Sequence, residues 1–289
     1  MKTLLCCVGR QQNQYIREFV EYYKGIGFTN IVLCDNNYEG EERFEDVIGD
    51  YVDNGFVIIK DYRNRKVIQL IAYSECYNDY RQDYDWVAFF DCDEFLTLVK
   101  HKQVGDFLQD ELFNDFNAIV VNWMCFGDND LVNNDGGGCL KRFTKPISYD
   151  AKHDLTTPEN YHVKTIVRCK NIETFRFINP HCTDIARQCN VLGKQHKPST
   201  TFEEYDFSSA YLRHYSTKTI DEYCDKMIRG FPDQMWNGSR VKNFLNVHFF
   251  SVNKITKEKI EVVKNKLNID LSYLLDEVCD DSGNEQHDS

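Results

Sequence analysis

Asp85-Trp86-Val87-Ala88-Phe89-Phe90-Asp91-Cys92-Asp93-Glu94-Phe95 is the stretch on which the fold turns. Trp86 to Phe90 is an unbroken apolar run, the signature of a strand buried on both faces in a parallel sheet. It passes without a break into Asp91-Cys92-Asp93-Glu94. Residues two apart on an extended chain point the same way, so Asp91 and Asp93 set two carboxylates side by side at the carboxyl end of that strand. In an open α/β sheet this is the edge where ligands bind. Two adjacent carboxylates repel unless a cation lies between them, and hard divalent ions such as Mg2+ or Mn2+ suit an oxygen-rich setting. The metal would then carry a diphosphate. The plainer alternative is that the pair only solvates a strand end or caps the next helix.

Outward from this stretch, apolar runs of strand length alternate with helical spacing. Toward the amino terminus, Val67 to Tyr80 carries Ile68, Ile71, Ala72, Cys76 and Tyr80 on a helical repeat, Phe56 to Ile59 is a strand and Glu42 to Tyr51 a helix. Ile31 to Cys34 is another strand, stopped by Asp35-Asn36-Asn37, and Tyr15, Ile16, Phe19, Val20 and Tyr23 mark a helix ended by Gly25 and Gly27. Thr3 to Val8 is the first strand. Toward the carboxyl terminus come a helix over Val104 to Phe113 and a strand at Ala118 to Trp123. Strand, helix and strand in alternation make right-handed βαβ units of a mostly parallel open sheet. After Phe126-Gly127 the chain turns polar and loop-like through Asp128-Asn129-Asp130 and Gly136-Gly137-Gly138. Strands return at Tyr161 to Cys169 and Thr174 to Ile178. Thr219 with Glu222 forms a capping box that opens a helix to Arg229, closed by Gly230 and Pro232, and Thr256 to Leu267 is a last amphipathic helix.

The 289 residues carry 34 Lys+Arg against 46 Asp+Glu, a formal charge of −12, which argues against general nucleic-acid binding. With 42% hydrophobic residues the chain can bury a sizeable core. No apolar run approaches the length needed to span a bilayer, and the apolar part of Met1 to Gly9 is too short for a signal peptide. Twelve scattered cysteines, with no Cys-x-x-Cys pair, are expected to be reduced core residues of a cytoplasmic protein.

Further blocks carry a resemblance to a known family. Gln69, Ala72-Tyr73, Cys76-Tyr77 and Trp86 through Leu96 resemble the segment that holds the Asp-x-Asp motif of GT-A glycosyltransferases, in particular the group related to families 2 and 92. Tyr15 through Tyr23 with Gly27 and Asp35-Asn36-Asn37 is similar to the amino-terminal nucleotide-binding unit of that group. Trp123 with Phe126-Gly127, Lys164 before Ile166-Val167, and His214-Tyr215 with Lys218, Glu222, Lys226 and Arg229-Gly230 also match, so the resemblance covers about residues 4 to 230. One departure stands out: the family's usual Lys-Asn-Glu after the first strand is Arg10-Gln11-Gln12 here, which keeps the positive charge and removes a carboxylate.

The resemblance implies a GT-A domain over residues 1–230, with a nucleotide-binding half at 1–125 and an acceptor half at 126–230; by their own residues, 231–280 read as a helical extension and 281–289 as a disordered acidic tail. It implies a metal-dependent transfer of a sugar from a nucleotide-diphosphate donor, UDP-linked, to a glycan or glycolipid hydroxyl in surface polysaccharide assembly, with peripheral contact to a membrane. Asp35 and Asn36 would contact the uracil or ribose, with Arg10 nearby. Asp91 would face the ribose or the metal, Asp93 would coordinate Mn2+ or Mg2+, and His214 would join the metal, with His181 as its rival. Lys218, just ahead of the capping box, could reach the phosphates as a point charge, and the helix N-terminus beyond it suits an anion. A base for the acceptor hydroxyl would be a carboxylate; Asp128 and Asp184 are the candidates, with Asp130 beside the first, and each can equally be surface charge. Trp123 and Trp236 could stack on sugar rings or simply pack. Two other classes stay open. A nucleotidyltransferase also uses paired aspartates on such a sheet, although Gly9-Arg10-Gln11-Gln12-Asn13 has only one glycine where those enzymes carry a Gly-rich loop. A non-catalytic glycan- or nucleotide-binding module is the other. The sequence leaves the oligomeric state open.

Overall fold

The computed structural model describes residues 1–147, 159–170, 172–204, 206–230 and 238–275. The chain forms two compact units, one of Met1–Cys125 with Asp154–His214, the other of Phe126–His153 with Tyr215–Ser289.

The first unit is built on the alternation expected from the sequence: β1 (Thr3–Gly9), α1 (Asn13–Gly25), β2 (Asn30–Asp35), α2 (Glu45–Asp53), β3 (Val57–Asp61), α3 (Gln69–Tyr80), β4 (Trp86–Phe89), β5 (Glu94–Leu98), α4 (Val104–Leu108) and β6 (Ala118–Cys125). It continues with β7 (Val163–Arg168), β8 (Phe177–Asn179), β9 (Cys182–Thr183), β10 (Gln188–Asn190), β11 (Gln195–His196) and β12 (Ala210–His214). Ten of these strands form one sheet, ordered β11-β10-β6-β7-β4-β1-β2-β3, with β12 pairing β5 and β6. β1 lies parallel to both β2 and β4, β2 to β3, and β6 to both β10 and β12. β7 runs antiparallel between β4 and β6. The result is a mostly parallel open sheet flanked by helices, as the sequence predicts. β1 is buried along its whole length, and Leu4, Cys6, Val32, Ala72, Cys76, Val87 and Phe89 belong to the core that α3 covers. On α1, Tyr15, Ile16, Phe19, Val20 and Tyr23 are the buried stripe.

Strand polarity decides what meets at the ligand edge. The carboxyl ends of β1, β2, β4, β6 and β12 and the amino ends of the antiparallel β5 and β7 all point to one edge of the sheet, so residues as far apart in sequence as Asp35, Asp91, Glu94, Cys125, Lys164 and His214 reach it.

Several elements differ from the sequence expectation. The helix placed at Glu42 to Tyr51 starts at Glu45, because Glu41 and Glu42 spend their carboxylates on the backbone N–H groups of Tyr38 and Asn13. α3 starts at Gln69, since Val67 sits at φ +53. The helix expected over Val104 to Phe113 breaks after Leu108, and Asp110 accepts from Leu112 N to open a separate 3-10 turn at Glu111–Phe113. The strand expected at Thr174 to Ile178 is confined to β8, and β5, β9 to β12 were not anticipated.

The second unit holds α5 (Cys139–Arg142), α6 (Ile220–Arg229), α7 (Gly238–Phe244), a π-type turn at Leu245–Phe249 and α8 (Lys257–Leu267). Ile220, Tyr223, Cys224, Met227, Leu245, Phe249, Ile260 and Val263 share its core. Both halves of the Thr219–Glu222 capping box are present, and Arg142 grips the Glu222 carboxylate through Nη1 at 3.0 Å and Nη2 at 2.8 Å. Gly230 closes α6 at φ +81. No helix among the described residues is long and apolar enough to cross a membrane. Pro232, Trp236, Cys279 and the 281–289 tail lie outside the described residues.

Candidate functional site

The first unit gathers its charged side chains around the end of β4. Asp91 is fixed from three sides: Lys164 Nζ donates to Oδ2 at 2.6 Å, and Gln69 Nε2 and Tyr73 Oη donate to Oδ1 at 2.7 and 3.0 Å. Lys164 comes from the antiparallel β7 and is fully buried. Its ammonium also lies 3.6 Å from Glu94 Oε1. Burial disfavours the Lys164 charge, but Asp91 and Glu94 outweigh it and raise its pKa. Burial likewise pushes Asp91 up, and the opposing Lys164 charge wins, leaving that carboxyl below its ordinary value. Tyr73 is raised well above the usual phenol range by burial and by Asp91, so it stays a donor.

Glu94, fully buried, knits the turn together. Its Oε2 accepts from Asp91 N at 2.8 Å and its Oε1 from Trp123 Nε1 at 2.9 Å. Desolvation pushes its carboxyl well up, opposed by Lys164. Tyr23 of α1 donates to Glu94 O at 2.8 Å and accepts from Leu96 N at 3.1 Å, so the α1 helix holds the start of β5.

Asp93 faces a different neighbour. Its Oδ1 lies 3.9 Å from Nε2 of His214, the last residue of β12. The His214 ring packs on Trp123 with centroids 3.8 Å apart. Its Nδ1 points the other way, 4.0 Å from Cys125 Sγ. His181 also packs against Trp123, centroids 5.0 Å apart, and its Nδ1 lies 3.1 Å from Val163 O. That contact assigns the proton to Nδ1 and leaves Nε2 an acceptor. Burial and the Lys164 charge pull the His181 pKa down to about 3, so the ring is neutral.

The metal expected here can be tested against these donors. Asp93 supplies a hard oxygen and His214 an imidazole nitrogen, and two ligands roughly 2.1 Å from a Mg2+-sized ion lie at most about 4.2 Å apart. The 3.9 Å separation lies inside that limit but is wider than the roughly 3.0 Å of adjacent ligands on an octahedral ion, so a small inward turn of either side chain would complete the grip. Asp91 fits less well, because both its oxygens already accept from the protein and Lys164 would repel a second cation beside it.

At the end of β2, Asp35 Oδ1 accepts from Asn37 N and Nδ2, both at 2.8 Å, and Oδ2 from Arg63 Nη1 at 2.7 Å. Asn36 Nδ2 donates to Tyr62 O and Arg65 O, each at 2.9 Å, which makes it a brace for the loop after β3. Arg10 is engaged by Glu41, with Nε and Nη2 at 3.0 and 2.6 Å, and lies 4.0 Å over the Tyr38 ring. The Arg10-Gln11-Gln12 departure has a local cause. Gln12 Nε2 donates to Arg10 O at 3.1 Å and Gln11 O at 3.0 Å, contacts that a glutamate could not make.

The two candidate bases are each held by other partners. Asp184, after the β8–β9 hairpin, accepts from Arg176 N at 2.8 Å and pairs with its guanidinium at 3.1 Å; the backbone N–H holds its carboxyl below the usual range, which suits a hairpin tie better than a base. Asp128 belongs to the second unit, where it is buried against Lys259 and accepts from Asp130 N at 2.9 Å. Burial raises its carboxyl despite that partner. Lys218 is also in the second unit, nearly buried at φ +51 ahead of the α6 N-terminus, beside the buried hydroxyls of Ser216 and Thr217.

Lys164, Gln69 and Tyr73 stand in the sequence blocks quoted above, but nothing in their spacing says that they converge on Asp91. Arg63 and Cys125 carry no site signal in the sequence, and Glu94 is given no role of its own there. Glu94 alone had a local signal, being contiguous with the aspartate pair.

The family model for glycosyltransferase family 92 matches residues 2–269. A glycosyltransferase family 92 protein of Ricinus communis is 26% identical over 185 residues, 61% of this chain and 32% of that protein. One from Oryza sativa subsp. japonica is 25% identical over 105 residues, 36% of this chain and 18% of that protein. The chain thus spans about a third or less of the length of these relatives. Among solved structures, S. aureus TarS in complex with UDP-GlcNAc is similar at a TM-score of 0.40 with 14% identity, over 92% of this chain and 80% of that one. GalNAc-T7 with UDP, GalNAc and Mn2+ is similar at 0.37 with 10% identity, over 99% and 58%.

Proposed function

Since the chain belongs to glycosyltransferase family 92, we propose that it moves a sugar from a nucleotide-diphosphate donor, UDP-linked, to a hydroxyl of a glycan or glycolipid acceptor, with surface polysaccharide assembly as the setting. The observation that carries this reading is the approach of Asp93 and His214 to 3.9 Å at the carboxyl end of β4. In this reading those two side chains hold Mn2+ or Mg2+, which acts as a Lewis acid toward the departing diphosphate. Asp91 has another task. Held by Lys164, Gln69 and Tyr73, it is a fixed, ionised acceptor for a ribose hydroxyl. Asp35, aligned by Asn37 and Arg63, takes the uracil or the ribose, and the indole of Trp123 keeps His214 in place. Charge balance favours a cation-dependent donor: a diphosphate brought to a chain of formal charge −12 needs positive charge at the point of contact. The eleven cysteines described are all buried, in keeping with use as small core residues, and a reducing cytoplasm is the setting proposed for them.

The test is Asp93→Ala. Both UDP-sugar hydrolysis and transfer should fall at least about a hundredfold, the loss of a few kcal/mol of transition-state stabilisation. The melting temperature should hold, because Glu94 and Lys164 tie down Asp91 and the turn. Unchanged turnover refutes the assignment. Release of pyrophosphate from a nucleoside triphosphate would instead indicate a nucleotidyltransferase. Tight Mn2+-dependent UDP binding without any hydrolysis would indicate a binding module.

A further inference from the structure

One cluster beside the proposed donor site shares only His214 with that reading, which gives no role to its other two members. Cys125 Sγ, at the end of β6, lies 3.7 Å from Glu159 Oε2 and 4.0 Å from His214 Nδ1. Among the described residues this is the one group of three His, Cys, Asp or Glu side chains whose ligand atoms all lie within 4.8 Å of one another. The three come from separate elements. β6 and β12 are paired in register at Cys125 and His214, and Glu159 opens the 3-10 turn Glu159–Tyr161. Asn160 of the same turn accepts from Cys125 N at 2.9 Å, which fixes the turn against the strand end. Cys125 and His214 are buried and Glu159 is half-buried, so the cluster has a dry floor and one wetter side.

We propose that Cys125, Glu159 and His214 form a site for a thiophilic divalent cation of the Zn2+ class. The donor set is one sulfur, one nitrogen and one oxygen, the mixture that borderline-soft Zn2+ accepts and that Mg2+ does not. In a tetrahedral Zn2+ site, bonds of about 2.3 Å to sulfur and about 2.0–2.1 Å to nitrogen and oxygen put ligand atoms roughly 3.4–3.6 Å apart. The observed 3.7 and 4.0 Å need only small side-chain adjustments. Charge also balances: the Cys125 thiol gives its proton to solvent as the S–metal bond forms, and one thiolate with one carboxylate neutralises a 2+ ion in a largely buried place. Water takes the fourth position.

The site has a consequence for His214. A neutral imidazole has a single lone pair, so binding a metal through Nδ1 leaves a proton on Nε2, the nitrogen that faces Asp93. Zn2+ at this cluster and a hard cation on His214 Nε2 therefore exclude each other. This last step rests on the function proposed above; the existence of the site does not.

The experiment is a titration of the full chain with Cd2+, a spectroscopically visible substitute for Zn2+, following the ultraviolet sulfur-to-cadmium charge-transfer band. One equivalent should give a one-thiolate band that Zn2+ displaces. Cys125→Ser should abolish the band, and Glu159→Gln should weaken Cd2+ binding at least about tenfold. Asp93→Asn should keep the band, separating this site from the hard-cation site even if the function proposed above is wrong. No band in the wild type, or an equal band in a Cys125→Ser protein of native circular dichroism, overturns the proposal. Should Cys125→Ser fail to fold, Glu159→Gln decides alone: unchanged Cd2+ affinity counts against the site.

Discussion

Lys164 shows how one side chain determines the character of a site. Its ammonium is fully buried, and its charge is matched by Asp91 at 2.6 Å and Glu94 at 3.6 Å. Lys164→Met would strand two carboxylates in a dry setting, a loss typically of about 3–5 kcal/mol. Urea denaturation should show that drop in unfolding free energy; a loss under about 1 kcal/mol would mean the carboxylates have other compensation. His181 gives a pH prediction. Its pKa is held down to about 3, below the ordinary histidine value, so the folded state takes up fewer protons than the unfolded chain between those limits. The stability due to keeping this ring neutral is present above about pH 6.5 and is lost progressively toward pH 3. Between pH 7 and pH 4, unfolding free energy should fall by roughly 1–3 kcal/mol more in the wild type than in His181→Gln. Parallel curves would remove His181 from the acid response. At this scale the sequence exposed Asp91 and Asp93 because strand alternation and a polar stop are local patterns. It concealed the pairing of Asp91 with Lys164, which lies 73 positions away and meets it only through the antiparallel β7.

At the scale of elements, local chemistry was legible where an end signal was strong. The α6 capping box is present as expected, and α8 starts at Thr256, whose side chain accepts from Lys259 N. Thr219→Ala removes a hydroxyl that accepts from Glu222 N at 3.2 Å and donates to Glu222 Oε2 at 2.6 Å. It should lower stability by about 1–2 kcal/mol, read as a shift of the thermal midpoint, since cap removal costs that much and Glu222 also carries Arg142. No shift would mean that Arg142 alone fixes the helix start. Boundaries failed where side chains were spent elsewhere, as at Glu41 and Glu42, or where a cap inside the segment split it, as at Asp110. β12 was missed because Ala210 to His214 alternates burial over only five residues and owes its place to pairing with β5 and β6.

For the whole molecule, the βαβ order up to residue 125 was readable because β1, β2, β4, the start of β3 and most of β6 are apolar runs, whereas β5, Glu94–Leu98, is not and was hidden. The strand that becomes β7 was also readable, but its antiparallel place between β4 and β6 was not, and neither were the short β9 to β11, since pairing is long-range and such lengths carry little periodic signal. The grouping of Phe126–His153 with Tyr215–Ser289 was equally hidden, resting on contacts such as Arg142–Glu222 and Lys259–Asp128 between distant segments. Under the proposed function, a chain of formal charge −12 needs local positive charge to receive a diphosphate, and a hard cation between Asp93 and His214 would supply it. The most direct measurement is Mn2+ binding followed by electron paramagnetic resonance in the presence of UDP. The wild type should take up one Mn2+, and Asp93→Asn should raise its apparent Kd at least about tenfold with the fold intact. Equal Mn2+ affinity in the two proteins would contradict the account.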